Sequence, residues 1–165
     1  MPKLQQIPDE KVGATLSLGK KLRSDIESSI GAGSYHKGIQ ALRAPDRRKV
    51  TVAGTTLGSS DVDLSLKKKH PTAARWDYVV GMQRTTKSAE LVWIEVHPAT
   101  SGANVKEMEN KMTWLIGWLK APLTNYQKKI VWISSGKTSF NARSPQIKRL
   151  ASQGCDLVGG HYILN

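Results

Sequence analysis

The chain has 165 residues, of which 39% are hydrophobic, and this is enough for one ordinary folded domain. Its 25 Lys and Arg residues outnumber 13 Asp and Glu residues, so the formal net charge of +12 favours a polyanionic partner such as DNA or RNA. We expect no membrane partner, because no stretch approaches the ~20 apolar residues that cross a bilayer. The absence of an apolar signal region and the single cysteine favour a cytoplasmic location.

The predicted elements begin with an amphipathic helix over residues 15–30. Four aliphatic side chains recur in it at every fourth position: Leu18, Leu22, Ile26 and Ile30. Glycines then break the pattern, so residues 1–45 are predicted to form an N-terminal helical region ahead of an α/β core over residues 46–165. Two alternating runs, 49–53 and 61–66, predict strands joined by a turn over residues 54–58.

The second half of the chain predicts the rest of the sheet. Residues 76–82 and 90–96 are apolar and predict the two strands of a central hairpin. A helix follows over residues 104–119, with Asn104 as its N-cap residue. A strand over 129–134, a short helix over 144–152 and a last strand region over 155–164 complete the order. We therefore expect a single α/β domain with a small mixed central sheet flanked by helices.

The most informative residues lie on the predicted central hairpin. Asp77 enters its first strand, whereas Glu95 and His97 alternate along the second strand and so point to the same face. Two carboxylates that meet on neighbouring strands form a site for a hard divalent cation such as Mg²⁺ or Mn²⁺. Such a cation can polarise a phosphate and activate a water molecule for in-line attack.

This arrangement resembles the PD-(D/E)XK nuclease superfamily, in which an Asp begins one strand, Glu-x-Lys lies on the next, and a helix and further strands complete a restriction-endonuclease-like core. The resemblance covers residues 49–164. It implies a Mg²⁺-dependent nuclease with Asp77 and Glu95 as metal ligands. His97 occupies the position of the family lysine, and the chemistry of an imidazole allows it to serve there as a base or a third ligand. The alternative is a catalytically inactive nuclease-fold protein that binds DNA or RNA, because a histidine carries no permanent charge.

Lysines on the following helix offer a replacement for the missing ammonium group, since lysines in this superfamily migrate between elements. Lys106 and Lys111 both lie on the predicted helix. Lys111 is about two turns into that helix, so we expect Lys106 rather than Lys111 to reach the end of the strand. Asp63 is a further candidate metal ligand beside Asp77 and Glu95.

Two other interpretations of the acidic residues remain open. In the first, their roles are structural: Asp77 pairs with Arg75 or a loop lysine, and Glu95 neutralises a basic rim. In the second, Asp61-Val62-Asp63 resembles the Asp-x-Asp strand of the polymerase β-type nucleotidyltransferases, which hold Mg²⁺ and a nucleoside triphosphate. The Gly-Ser turn that this family carries about a dozen residues upstream is missing from residues 47–52.

Basic residues cluster mainly ahead of Asp77 in the sequence. We expect them to contact phosphates with little dependence on base sequence and with a strong dependence on salt. The predicted nucleic-acid-binding residues are Arg47, Arg48, Lys67, Lys68, Lys69, Arg75 and Arg84.

Tryptophan is the dominant aromatic residue type, with five residues against one phenylalanine. An exposed tryptophan can stack on a nucleic-acid base. Trp114 and Trp118 lie one turn apart on the predicted helix, where they belong either to the core or to a ridge that binds a partner, such as a second copy in a homodimer.

Overall fold

The computed structural model describes residues 8–165, and it contains five helices and seven strands within that range. The helices are α1 (Asp9–Ser29), α2 (Ala44–Arg47), α3 (Val62–Leu66), α4 (Gly102–Trp118) and α5 (Pro145–Ser152), with a 3-10 turn at Leu123–Asn125. The strands are β1 (Val50–Val52), β2 (Thr56–Asp61), β3 (Tyr78–Gln83), β4 (Ala89–Ala99), β5 (Gln127–Thr138), β6 (Cys155–Val158) and β7 (Tyr162–Leu164).

Five strands form the central sheet in the order β2-β3-β4-β5-β6. The first three pair antiparallel as a meander, whereas β4, β5 and β6 are parallel. Parallel neighbours need a crossover connection, which α4 supplies between β4 and β5 and α5 supplies between β5 and β6. The predicted class, a small mixed sheet flanked by helices, is confirmed, and β4 lies at the centre of the sheet.

Each face of the central sheet has its own apolar core. On one face, α1, α4 and α5 bury side chains such as Leu22, Met108 and Leu150 against the strands. On the other face, Leu42 and the small parallel sheet of β1 and β7 cover the strands. From residue 8 onward, no helix has the length and apolarity that crossing a membrane requires.

The predicted strand over residues 61–66 is wrong, because these residues form the N-cap and the whole of helix α3. The Asp61 carboxylate accepts a hydrogen bond of 2.8 Å from the backbone N–H of Leu64, and α3 buries Val62 and Leu66, four residues apart. Apolar residues at 62, 64 and 66 fit a strand, but 62 and 66 also fit one helical turn, and so short a run does not distinguish the two periods. Asp61 and Asp63 therefore do not share a strand, which removes the Asp-x-Asp strand of the nucleotidyltransferase interpretation.

The strand that pairs with β3 at this edge of the sheet is β2, which the sequence did not predict. It occupies most of the predicted turn over residues 54–58 and continues to Asp61. The predicted strand over 49–53 corresponds to β1, which pairs with β7 and not with a hairpin neighbour. The last strand region divides at Gly159 and Gly160 into β6 and β7, which belong to different sheets. Helix α4 begins at Gly102 with Ser101 as its N-cap residue, so the prediction of Asn104 as the N-cap was wrong, and Asn104 is instead the N3 residue of the capping box.

Candidate active site

Asp77 and Glu95 meet where β3 begins beside β4, as the sequence predicted. The Asp77 backbone N–H donates a hydrogen bond of 3.0 Å to Glu95 Oε2, and the Val96 backbone N–H donates one of 3.0 Å to Asp77 Oδ2. Side-chain carboxylates thus replace the regular ladder at this point, one residue before the first paired residue of β3. The two acidic groups are held against the backbone of the neighbouring strand.

Lys111, and not Lys106, is the lysine whose ammonium group lies at Glu95. Its Nζ lies 2.5 Å from Glu95 Oε1 and donates a hydrogen bond of 2.8 Å to the backbone carbonyl of Arg75. The side chain of Lys106 is 72% exposed, and its Nζ lies 3.8 Å from Glu109 Oε2 on the same helix.

The expectation that Lys106 is better placed was wrong because α4 runs back along β4. Glu95 lies four residues before the end of β4, a distance of about 13 Å at the rise of a strand. Lys111 lies nine residues after the start of α4, a distance of about 13.5 Å at the rise of a helix. The two distances match, so Lys111 comes to the level of Glu95.

His97 lies on the same face of β4 as Glu95, as alternation predicted, and both side chains contact α4. Its Nε2 lies 2.5 Å from Glu107 Oε2, and its Nδ1 lies 3.9 Å from Glu95 Oε1. Glu107 is the partner that sequence reasoning missed. The imidazole therefore stands between an exposed carboxylate and the buried one.

Burial shapes the protonation of the two carboxylates. Glu95 is only 1% exposed, and burial together with the nearby Asp77 raises its pKa to about 8, although Lys111 acts in the opposite direction. Burial also raises the pKa of Asp77, against the effects of Lys111 and of the Val96 N–H. A proton and a metal ion would therefore compete for Glu95 near neutral pH.

Asp63 does not join this pair, because two arginines bind it. Its Oδ1 lies 2.9 Å from Arg75 Nε and its Oδ2 lies 3.6 Å from a terminal guanidinium nitrogen of Arg43. The Arg75 side chain is 10% exposed and also donates a hydrogen bond to the carbonyl of His70. Arg75 is thus turned inward and links α3 to the following loop, away from the surface position that phosphate contact requires.

Arg43 is a second cation near the site, and sequence reasoning missed it. Its Nε lies 3.2 Å from Asp61 Oδ2, its guanidinium lies over the Tyr78 ring at 5.7 Å, and its charge opposes the rise that burial causes in the pKa of Asp77. No local pattern marks Arg43, because its partners lie 18 and more residues away in the chain.

The other predicted basic residues are all exposed, and two of them also bind protein groups. Arg48, Lys67, Lys68 and Lys69 are exposed to solvent. Arg47 donates hydrogen bonds to the carbonyls of Leu42 and Gln40, and Arg84 forms an ion pair of 2.6 Å with Glu90. Arg84 follows the far end of β3, about 23 Å along the strand from Asp77, so it does not belong to the same site.

Asp77 and Glu95 are the residues of the site that could hold a metal ion. Among residues 8–165 no cluster of three or more His, Cys, Asp or Glu side chains could hold a metal ion. Mg²⁺, however, commonly uses one or two carboxylates and completes its shell with water and substrate phosphate. Within this range Asp77 Oδ1 has no hydrogen-bond partner, whereas both oxygens of Glu95 already have one.

No protein-family model, no curated protein and no solved structure matches this chain.

Proposed function

We propose that this protein binds DNA or RNA and hydrolyses phosphodiester bonds with Mg²⁺ or Mn²⁺ held by Asp77 and Glu95. The observation that carries the proposal is the position of Lys111 Nζ, 2.5 Å from Glu95 Oε1, on a carboxylate whose other oxygen accepts from the Asp77 backbone. An Asp, a Glu and a Lys thus come together from two adjacent strands and the following helix. This is the set of groups expected from the PD-(D/E)XK resemblance, with the lysine on the helix.

The roles of the residues follow from these contacts. The Mg²⁺ or Mn²⁺ ion would polarise a phosphate as a Lewis acid and would lower the pKa of a bound water molecule. Lys111 is anchored by the Arg75 carbonyl, so its ammonium group can orient water and stabilise negative charge on the phosphate. His97, oriented by Glu107, is the neighbouring group that can accept a proton.

The charge of the protein favours a polyanion as substrate. The backbone N–H of Val62, the first residue of α3, donates to the Asp77 carbonyl at 2.8 Å, and the exposed Lys67, Lys68 and Lys69 follow the last turn of this helix. Phosphates on either side of the cleaved bond would meet these lysines, and binding would weaken steeply with salt.

The single thiol, Cys155, is buried and suits the reducing cytoplasm, where we expect the protein to act.

A nucleic-acid-binding protein that does not cut is the second candidate. It is favoured by the state of Glu95, whose two oxygens already have partners and whose pKa is raised to about 8. A metal ion must displace either Lys111 or a proton from this group. A protein in which that exchange is unfavourable keeps the fold and the basic surface but has no phosphodiesterase activity.

Cleavage of labelled single- and double-stranded DNA and RNA with Mg²⁺ or Mn²⁺ distinguishes the two candidates. We expect Asp77→Asn and Lys111→Gln to lower the cleavage rate at least about 100-fold while binding is retained. Lys106→Gln is the matched control, because it removes the same charge from the same helix outside the site, and it should cut at the wild-type rate. Salt-sensitive binding without cleavage would support the non-cutting protein, and failure to bind any nucleic acid would refute both.

A further inference from the structure

A cleft of about 710 Å³ lies between the end of α1 and the second half of α4, and the proposed nuclease site does not account for it. Its walls come from Ser28 and Ser29, from Trp114 and Trp118, and from residues 69–70 and 120–123. Neither Asp77 nor Glu95 lines it. The volume falls within the range of about 300–1,000 Å³ that is typical of small-molecule sites.

The aromatic wall of the cleft is a stacked pair of tryptophans that also contact other aromatic rings. The ring planes of Trp114 and Trp118 lie within 12° of parallel, with centroids 5.4 Å apart. Trp118 packs edge-on against the fully buried Trp93 at 6.2 Å, and His70 packs edge-on against Trp114 at 6.3 Å. Both α4 tryptophans remain partly exposed, so a planar ring can contact them from the cleft.

The charged groups of the cleft all have one sign. Lys69 and Lys120 line it and are exposed, and within the described part of the chain no Asp or Glu contributes to its lining. The ligand chemistry that matches a stacked aromatic wall and two ammonium groups is a planar ring that carries a phosphate. A nucleotide has both parts.

We propose that this cleft binds a nucleotide unit, with its base against Trp114 and its phosphate attracted by Lys69 and Lys120. The unit comes either from a free nucleotide or from a single strand of nucleic acid, and the two share this chemistry.

The cleft is adjacent to the carboxylate site along α4. Lys111, Trp114 and Trp118 follow one another at spacings of three and four residues, so they share a helix face. Trp114 lies about 4.5 Å beyond Lys111 along the helix axis. Arg75 connects both places, because its carbonyl accepts from Lys111 and its guanidinium donates to the carbonyl of His70. A strand bound at the carboxylates would therefore place a flanking nucleotide in the cleft; this extension rests on the proposed function, whereas nucleotide binding itself does not.

The test compares three probes in EDTA, by tryptophan quenching and fluorescence anisotropy. They are an oligothymidylate of about eight nucleotides, an abasic oligomer of the same length and charge, and thymidine 5′-monophosphate. We expect the oligothymidylate to bind at least about 10-fold more tightly than the abasic oligomer. Trp114→Leu should abolish that difference, Trp114→Phe should retain most of it, and Lys120→Gln should weaken binding. Lys106→Gln on the same helix should behave as the wild type.

The outcomes separate the sources of the ligand and the two proposals. Saturable binding of the mononucleotide that Trp114→Leu removes would support a free nucleotide, and base-dependent binding of the oligomer alone would support a strand. Equal affinity for the abasic oligomer, unchanged by Trp114→Leu, would overturn the inference. The inference would also be overturned if the protein self-associates, Trp114→Leu abolishes that self-association, and no base-dependent binding is seen. That result would assign the cleft to a homodimer interface. Asp77→Asn should lose cleavage and keep base-dependent binding. If no variant cleaves nucleic acid, the nuclease proposal fails, but base-dependent binding that requires Trp114 would still support the nucleotide site.

Discussion

Replacing Glu95 with glutamine tests whether the carboxylate site is maintained at the expense of stability. Burial and the nearby Asp77 raise the pKa of Glu95 from 4.5 to about 8. A carboxyl group whose pKa is higher in the folded than in the unfolded protein binds its proton more tightly when folded. Its stabilising contribution is therefore complete below pH 4.5 and is lost as the pH rises to about 8.

The magnitude follows from the size of this shift. One pKa unit corresponds to about 1.4 kcal/mol, so ionisation of Glu95 lowers the free energy of unfolding by up to about 5 kcal/mol across this window. Glutamine has a similar shape and no proton to lose. We therefore expect the stability of Glu95→Gln relative to wild type to rise by about 1.4 kcal/mol per pH unit up to about pH 8 and then to level off.

Urea unfolding followed by tryptophan fluorescence, in EDTA and at several pH values in this window, measures the difference. Glu107→Gln is the matched control, because it makes the same change at an exposed carboxylate whose pKa is lowered by its hydrogen bond to His97. Its relative stability should not rise with pH. A difference between Glu95→Gln and wild type that is independent of pH would refute the reasoning.

Two further predictions concern packing and reactivity away from the carboxylates. Gly58→Ala should lower the free energy of unfolding by about 2–3 kcal/mol, because Gly58 has a φ of +146° and an added Cβ would lie 2.1 Å from the ring of Tyr35. Chemical denaturation measures this loss, and an unchanged denaturation midpoint would contradict the prediction. Burial raises the pKa of the Cys155 thiol to about 12. The folded protein should therefore react with a thiol reagent at least about 100-fold more slowly than the protein unfolded in urea. Equal reaction rates would contradict this prediction, because they would show that the thiol is accessible in the folded protein.

Several features followed from local sequence patterns alone. The long apolar runs of β3 and β4, followed by the periodic helix α4, predicted the centre of the sheet, because burial on a regular element imposes a regular spacing. The same alternation placed Glu95 and His97 on one face, and the entry of Asp77 into the neighbouring strand brought the two acids together.

Other features depended on contacts between distant residues, which no local pattern reports. Lys111 reaches Glu95 only because α4 runs back along β4 over an equal distance, and Arg43 reaches Asp61 from a loop. The six residues 61–66 fitted both a strand and a helix, and the hydrogen bond that the Leu64 N–H donates to the Asp61 carboxylate decided between them. Local periodicity therefore determined which elements form and which face is buried, whereas the tertiary path determined which lysine pairs with Glu95.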